Sequence, residues 1–240
     1  MSLPALHGAL RYRARRIYLM IRRTLSRQLV DRRYGIETSS EVRLASLGLD
    51  HPDRVGYEPS GWRDLRRVIR RSEVGPGDVF IDLGSGKGRM VLAAARYPFR
   101  RVIGVEVSSE MNEVAARNVE AQRAKLTCQD IRLETADVAT YRIPDDVTVA
   151  YIYNAFGGDT FQAVVDELLA SVERAPRRML LIYRTALEHE RLLATGRFRL
   201  VRMAPGRRPG RAWSEKMAIR VYALDPIETA AAERTSAPVA

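Results

Sequence analysis

The chain has 240 residues, 46% of them hydrophobic, with 40 Lys and Arg against 29 Asp and Glu and a formal net charge of +11. That length suits one sizeable domain plus an extension, and no apolar run approaches the roughly 18 residues of a membrane span, so a soluble protein is expected. A single cysteine, Cys128, excludes an internal disulfide framework, and the scattered His7, His51 and His189 have no metal-ligand spacing, so no metal is expected.

The cationic excess is almost all arginine, with lysine only at Lys87, Lys125 and Lys216, and it reads first as a basic surface, with nucleic acid the less favoured partner. Arginines interrupt every hydrophobic stretch before Asp31, so no secretory h-region exists and a cytoplasmic location is expected. Mitochondrial import is the alternative for a eukaryotic source, because transit peptides share this Arg-rich, acid-poor character.

Residues 1 to 35 carry nine arginines while Leu10, Ala14, Ile17, Ile21, Leu25 and Leu29 recur at helical spacing. The pattern predicts a basic amphipathic helix whose apolar stripe packs on the domain as a cap. Contact with an anionic membrane or an acidic partner is the other reading. Gly48, Pro52, Gly56 and Pro59 mark residues 36 to 59 as a linker, so 1–56 is expected as an N-terminal extension. Trp62, Leu65, Val68 and Ile69 then have helical spacing, which Gly75-Pro76-Gly77-Asp78 ends.

From there short β-branched runs alternate with helical patterns, the signature of βαβ units around a parallel sheet. Strands are predicted over 79–83, 102–106, 131–135, 148–153, 179–183, 198–203 and 217–224, with helices over about 87–96, 108–123, 158–173 and 186–195. The last two strands are joined by 204–216, which has no helical pattern, so they are expected to pair antiparallel. A frayed tail is expected over 226–240.

The most informative segment is Asp82-Leu83-Gly84-Ser85-Gly86-Lys87-Gly88, which follows an apolar strand and opens a helix. Glycines at 84, 86 and 88 let the backbone turn tightly and approach a ligand. The spacing is G-x-G-x-G, one residue shorter than the dinucleotide fingerprint, and Asp82 would repel a pyrophosphate but suits the ammonium of a methionine moiety. Glu106 ends the next strand, where a carboxylate can accept both ribose hydroxyls, and Asp137 follows the third, where it could accept from an adenine amino group or cap its own turn.

With these residues placed, 57–225 resembles the class I, seven-β-strand methyltransferases that use S-adenosylmethionine. The resemblance implies a Rossmann-like α/β sheet whose seventh strand runs antiparallel between the fifth and sixth. Tyr57-Glu58-Pro59-Ser60, the glycine turn and Asn154-Ala155-Phe156-Gly157 are more distantly similar to the non-SET protein-lysine methyltransferases. The Asn-Pro-Pro-Tyr tetrapeptide of enzymes that methylate nucleic-acid amines is absent, which argues against a flipped base as acceptor.

Methyl transfer from a sulfonium is an in-line displacement, so holding the nucleophile against the methyl carbon is the main task and a base is optional. The candidate cofactor residues are Tyr57, Ser60, Asp82, Gly84, Ser85, Gly86, Gly88, Glu106, Asp137 and Asn154, and the candidate catalytic residues are Asn154 and Tyr153. Tyr57 and Ser60 could close over the methionine end or only fix the chain entry. Asn154 could orient a substrate or stabilise its own turn. The acceptor stays open between a protein amine and a small molecule, beside a non-catalytic binding module of the same fold. The arginines and Trp213 of 205–213 could meet an anionic substrate or simply surround a solvated turn.

Overall fold

The computed structural model describes residues 17–18, 20–21, 24–206 and 215–227. Much of the basic N-terminal helix, most of the 205–213 loop and nearly all of the tail therefore lie outside the described residues.

Seven strands form one sheet: β1 Val79–Leu83, β2 Arg101–Glu106, β3 Ile131–Thr135, β4 Val149–Tyr153, β5 Met179–Arg184, β6 Phe198–Ala204 and β7 Ile219–Leu224. Their order is β3-β2-β1-β4-β5-β7-β6, with β7 antiparallel to both neighbours and every other pairing parallel. Four helices flank it: α1 Arg89–Ala94, α2 Ser109–Gln122, α3 Gly158–Arg174 and α4 His189–Ala194.

Side-chain alternation along the strands builds a core on each face. Phe80, Val102, Tyr151 and Ile182 pack with α1 and α2 on one side, whereas Val79, Ile81, Leu83, Ile103 and Leu181 pack with α3 and α4 on the other. All five residues of β1 are buried, as a central parallel strand covered on both faces requires. Each fully buried large aliphatic side chain contributes on the order of 1.5–3 kcal/mol. Strand order reverses at β1, which lies between β2 and β4, so the carboxyl ends of those strands open a crevice.

The sheet follows the predicted strands closely, but the N-terminal third differs from expectation. Trp62 to Ile69 forms only turns and a single 3-10 turn at Leu65–Arg67. Leu65, Val68 and Ile69 are buried, so the spacing reports burial, while Asp64 bonds back to the Gly61 N–H at 2.7 Å and tightens the turn. Residues 36–60 pair with one another through a bridge from Val42 to Tyr57 and with the loop after β4 through a bridge from Arg54 to Phe156. In the preceding helical segment, Leu25 and Leu29 are exposed where a packed stripe was expected, and Asp31 is the buried residue of the π turn Arg27–Asp31. Asp31 accepts from the Thr38 N–H at 2.8 Å and its hydroxyl at 3.0 Å, so a polar anchor holds this end.

Candidate functional site

β1 runs into a turn at which Gly84, Gly86 and Gly88 take left-handed φ values of 84, 53 and 75°. A Cβ at Gly84 would stand 2.5 Å from Ala155 Cβ, and one at Gly86 would stand 2.2 Å from the Tyr57 ring. Glycine is therefore needed both for the backbone conformation and for the two segments that press on the turn. The Gly84 and Ser85 N–H groups donate to the Val105 carbonyl at 2.9 and 3.0 Å, which fixes the turn against the end of β2.

Glu106, the last residue of β2, accepts from the Gly86 N–H at 2.8 Å and from the Ser108 N–H at 3.1 Å. Burial pushes its carboxyl up, against the opposing effect of those backbone donors. Each oxygen keeps lone-pair capacity for another donor. Asp82 is 3% exposed, and burial first, then Glu106, holds its carboxyl well above the ordinary range. Among the described residues no hydrogen bond or ion pair engages it. The buried Ser85 hydroxyl is likewise without a hydrogen-bond partner.

Asp82, Glu106 and Asp137 line one cavity with Tyr57, Ser60, Gly84 and Ser85. Met90, Met111, Val107, Val138, Tyr151, Tyr153 and Phe156 supply apolar and aromatic wall. The Ser60 and Tyr151 hydroxyls are 3.0 Å apart, and the Tyr57 hydroxyl donates to the Thr38 carbonyl at 2.8 Å while its ring covers Gly86. Burial pushes the Tyr57 and Tyr151 phenols up, so both stay protonated at neutral pH.

Three sequence candidates sit elsewhere. Gly86 lies beneath Tyr57, and Gly88 abuts α2, where an added Cβ would be 2.9 Å from Ala115 Cβ. Asn154 is not part of the described cavity wall; it holds a left-handed turn, φ 41°, that swings Ala155 and Phe156 into place. Tyr153 does line the cavity, with the Arg184 guanidinium 4.2 Å from its ring centroid.

Several residues of this region were not legible from local sequence. Arg54 crosses the mouth of the cavity to pair with Asp137 at 2.7 Å, while the other Asp137 oxygen accepts from the Ala139 N–H at 3.0 Å. Neighbouring Asp53 accepts from the Thr160 N–H at 3.1 Å at the start of α3, and Val55 N–H donates to the Ala155 carbonyl at 2.9 Å. Residues 53–57 thus form a strap from the β4–α3 loop to the glycine turn. Arg54 and Asp137 are 83 positions apart, and only the folded sheet brings them together. Arg89 is also buried and bonds Thr38, Ser39 and the Ser60 carbonyl. Its position at the start of an otherwise apolar helix was the available signal.

Charge decides what this cavity can hold. Its wall carries Glu58, Asp82, Glu106 and Asp137 against Arg54 and Arg89, and both arginines are already engaged. Lys87 points to Glu37 and Ser40 instead. The balance suits a cationic ligand and opposes a pyrophosphate.

Residues 80–177 match a family model described as a methyltransferase domain. With the sheet order β3-β2-β1-β4-β5-β7-β6, this stretch has the fold of the class I methyltransferases. The methyl donor of this class is S-adenosylmethionine. The solved structure of StiE O-MT shares the fold, with a TM-score of 0.50, 13% identity and coverage of 71% of this chain and 75% of that one. A protein-lysine N-methyltransferase of Saccharolobus islandicus is 30% identical over 73 residues, 30% of this chain and 45% of its own length. A ribosomal RNA small subunit methyltransferase A of Thermobifida fusca is 29% identical over 124 residues, 49% of this chain and 42% of its own. The chain thus spans less than half the length of either relative it matches.

Proposed function

We propose that the protein transfers the methyl group of S-adenosylmethionine to an amine, with a protein lysine as the acceptor class. The observation that carries the donor site is Asp82, a buried carboxylate without a counter-cation among the described residues, on the wall of a cavity that also presents Glu106 and Asp137. Asp82 takes the ammonium of the methionine moiety, Glu106 the ribose hydroxyls and Asp137 the adenine amino group. The Ser85 hydroxyl, buried and without a partner, supplies a further polar contact.

When bound, the donor supplies an electrophilic sulfonium methyl whose leaving group departs neutral. The chain's own residues then need to position the nucleophile and exclude water. Tyr153, Tyr151 and Phe156 provide the aromatic wall beside Ser60. Glu58 lines the same cavity, where its charge also acts on the buried Arg184 guanidinium. An amine arrives as a cation, so Glu58 attracts it, and desolvation against the aromatic wall favours the neutral form that attacks. The negative cavity and the likeness to a protein-lysine N-methyltransferase support this acceptor over a neutral hydroxyl.

Incubating the purified protein with methyl-labelled S-adenosylmethionine and size-fractionated lysate tests the acceptor. Label retained in protein through acid hydrolysis as methyl-lysine is the expected result. Label confined to small solutes contradicts it.

A further inference from the structure

The methyl-transfer site leaves the arginine-rich N-terminal segment unexplained. Its described residues Ile17, Met20, Ile21, Leu25 and Leu29 follow helical spacing and are 51–64% exposed. Among the described residues, side chains of this size at such exposure form an apolar row largely open to solvent.

Charge identifies what would cover it. Up to Ile36 the sequence holds nine arginines and one acid, Asp31. That acid is turned inward, bonded to Thr38 and 3.8 Å from the Arg89 guanidinium, so it offsets none of the outward charge. Arg27, Arg32 and Arg33 are exposed in the described part. By helical spacing the exposed Arg27 falls to the back of the apolar row.

An apolar row flanked by cations with no outward acid matches the boundary between acyl chains and anionic headgroups. A polyanion such as RNA would use the arginines but would leave the isoleucines and leucines exposed to water. We infer that this segment lies on an anionic lipid surface, with Ile17, Ile21, Leu25 and Leu29 inserted and the arginines on the headgroups. No helix among the described residues is long and apolar enough to cross a membrane, so the contact is interfacial. Leu25 and Leu29 also edge a cleft with Trp62, Arg63 and Met217. The inference stands apart from the methyl-acceptor reading, because it uses no residue of the donor cavity.

Co-sedimentation of the full chain with phosphatidylcholine vesicles, with and without phosphatidylglycerol, tests it. Binding only to the anionic vesicles, weakened by salt and reduced at least about tenfold in Leu25→Asp/Leu29→Asp, is expected. Both side chains are exposed, so the double variant keeps its fold, which circular dichroism verifies. Wild-type protein that ignores anionic vesicles, including one that instead binds RNA or self-associates through this face, overturns the inference. Vesicle binding that the double variant retains in full also overturns it.

Discussion

At the residue scale, the controlling group is Asp82. Its carboxyl is held well above the ordinary range by burial and by Glu106. A carboxyl raised in the folded state contributes full stability below its unfolded value, and that contribution is lost as pH rises through the folded value. A neighbouring ammonium reverses the bias by favouring the carboxylate. Stabilisation of the protein by S-adenosylhomocysteine should therefore grow as pH rises from the ordinary carboxylate range through the raised value, with proton release on binding. A melting shift independent of pH over that window would contradict the assignment of Asp82. Asp64 sets a different test, because it pairs with the buried Arg184 that stacks on Tyr153. Asp64→Ala leaves that guanidinium buried without its partner and should cost about 3–5 kcal/mol in chemical denaturation. A loss under about 1 kcal/mol, typical of exposed pairs, would show that Arg184 is not held there.

At the element scale, the strap over 53–57 is what the sequence reading as a linker did not foresee. Gly56 and Pro59 do mark turns, but those turns fold the segment back onto Ala155, Phe156 and Asp137. Breaker residues report where the chain bends, and they say nothing of what it then touches. The strap closes over the adenosine end of the proposed donor site through one partly exposed ion pair. Arg54→Ala should accelerate both association and dissociation of S-adenosylhomocysteine several-fold in stopped-flow measurements, and salt should have the same effect on the wild type. A change in dissociation alone would mean that Arg54 contacts the ligand without gating it.

At the scale of the whole molecule, the strands were legible because alternating β-branched runs and Gly/Pro breaks encode both burial and boundaries. β1 and β3 match their predicted limits, and the antiparallel β6–β7 pairing follows from a connection with no helix. The proposed donor cavity was legible in part: Asp82 is the penultimate residue of β1, Glu106 ends β2 and Asp137 follows β3, so sheet topology alone brings them to one edge. The strap, the Asp64–Arg184 pair and the Arg89 anchor were not, since each joins segments distant in sequence by polar contacts without periodicity. The N-terminal face shows a related limit, because spacing predicts an amphipathic helix and leaves open which surface its stripe meets.

The central claim is that Asp82 anchors the amino-acid end of the methyl donor in this cavity. Calorimetric titration of S-adenosylhomocysteine into the wild type and Asp82→Asn tests it most directly. Saturable one-site binding by the wild type, weakened about tenfold or more in a variant that stays folded, is the predicted result. No binding by folded wild-type protein, or equal affinity in the variant, would contradict it.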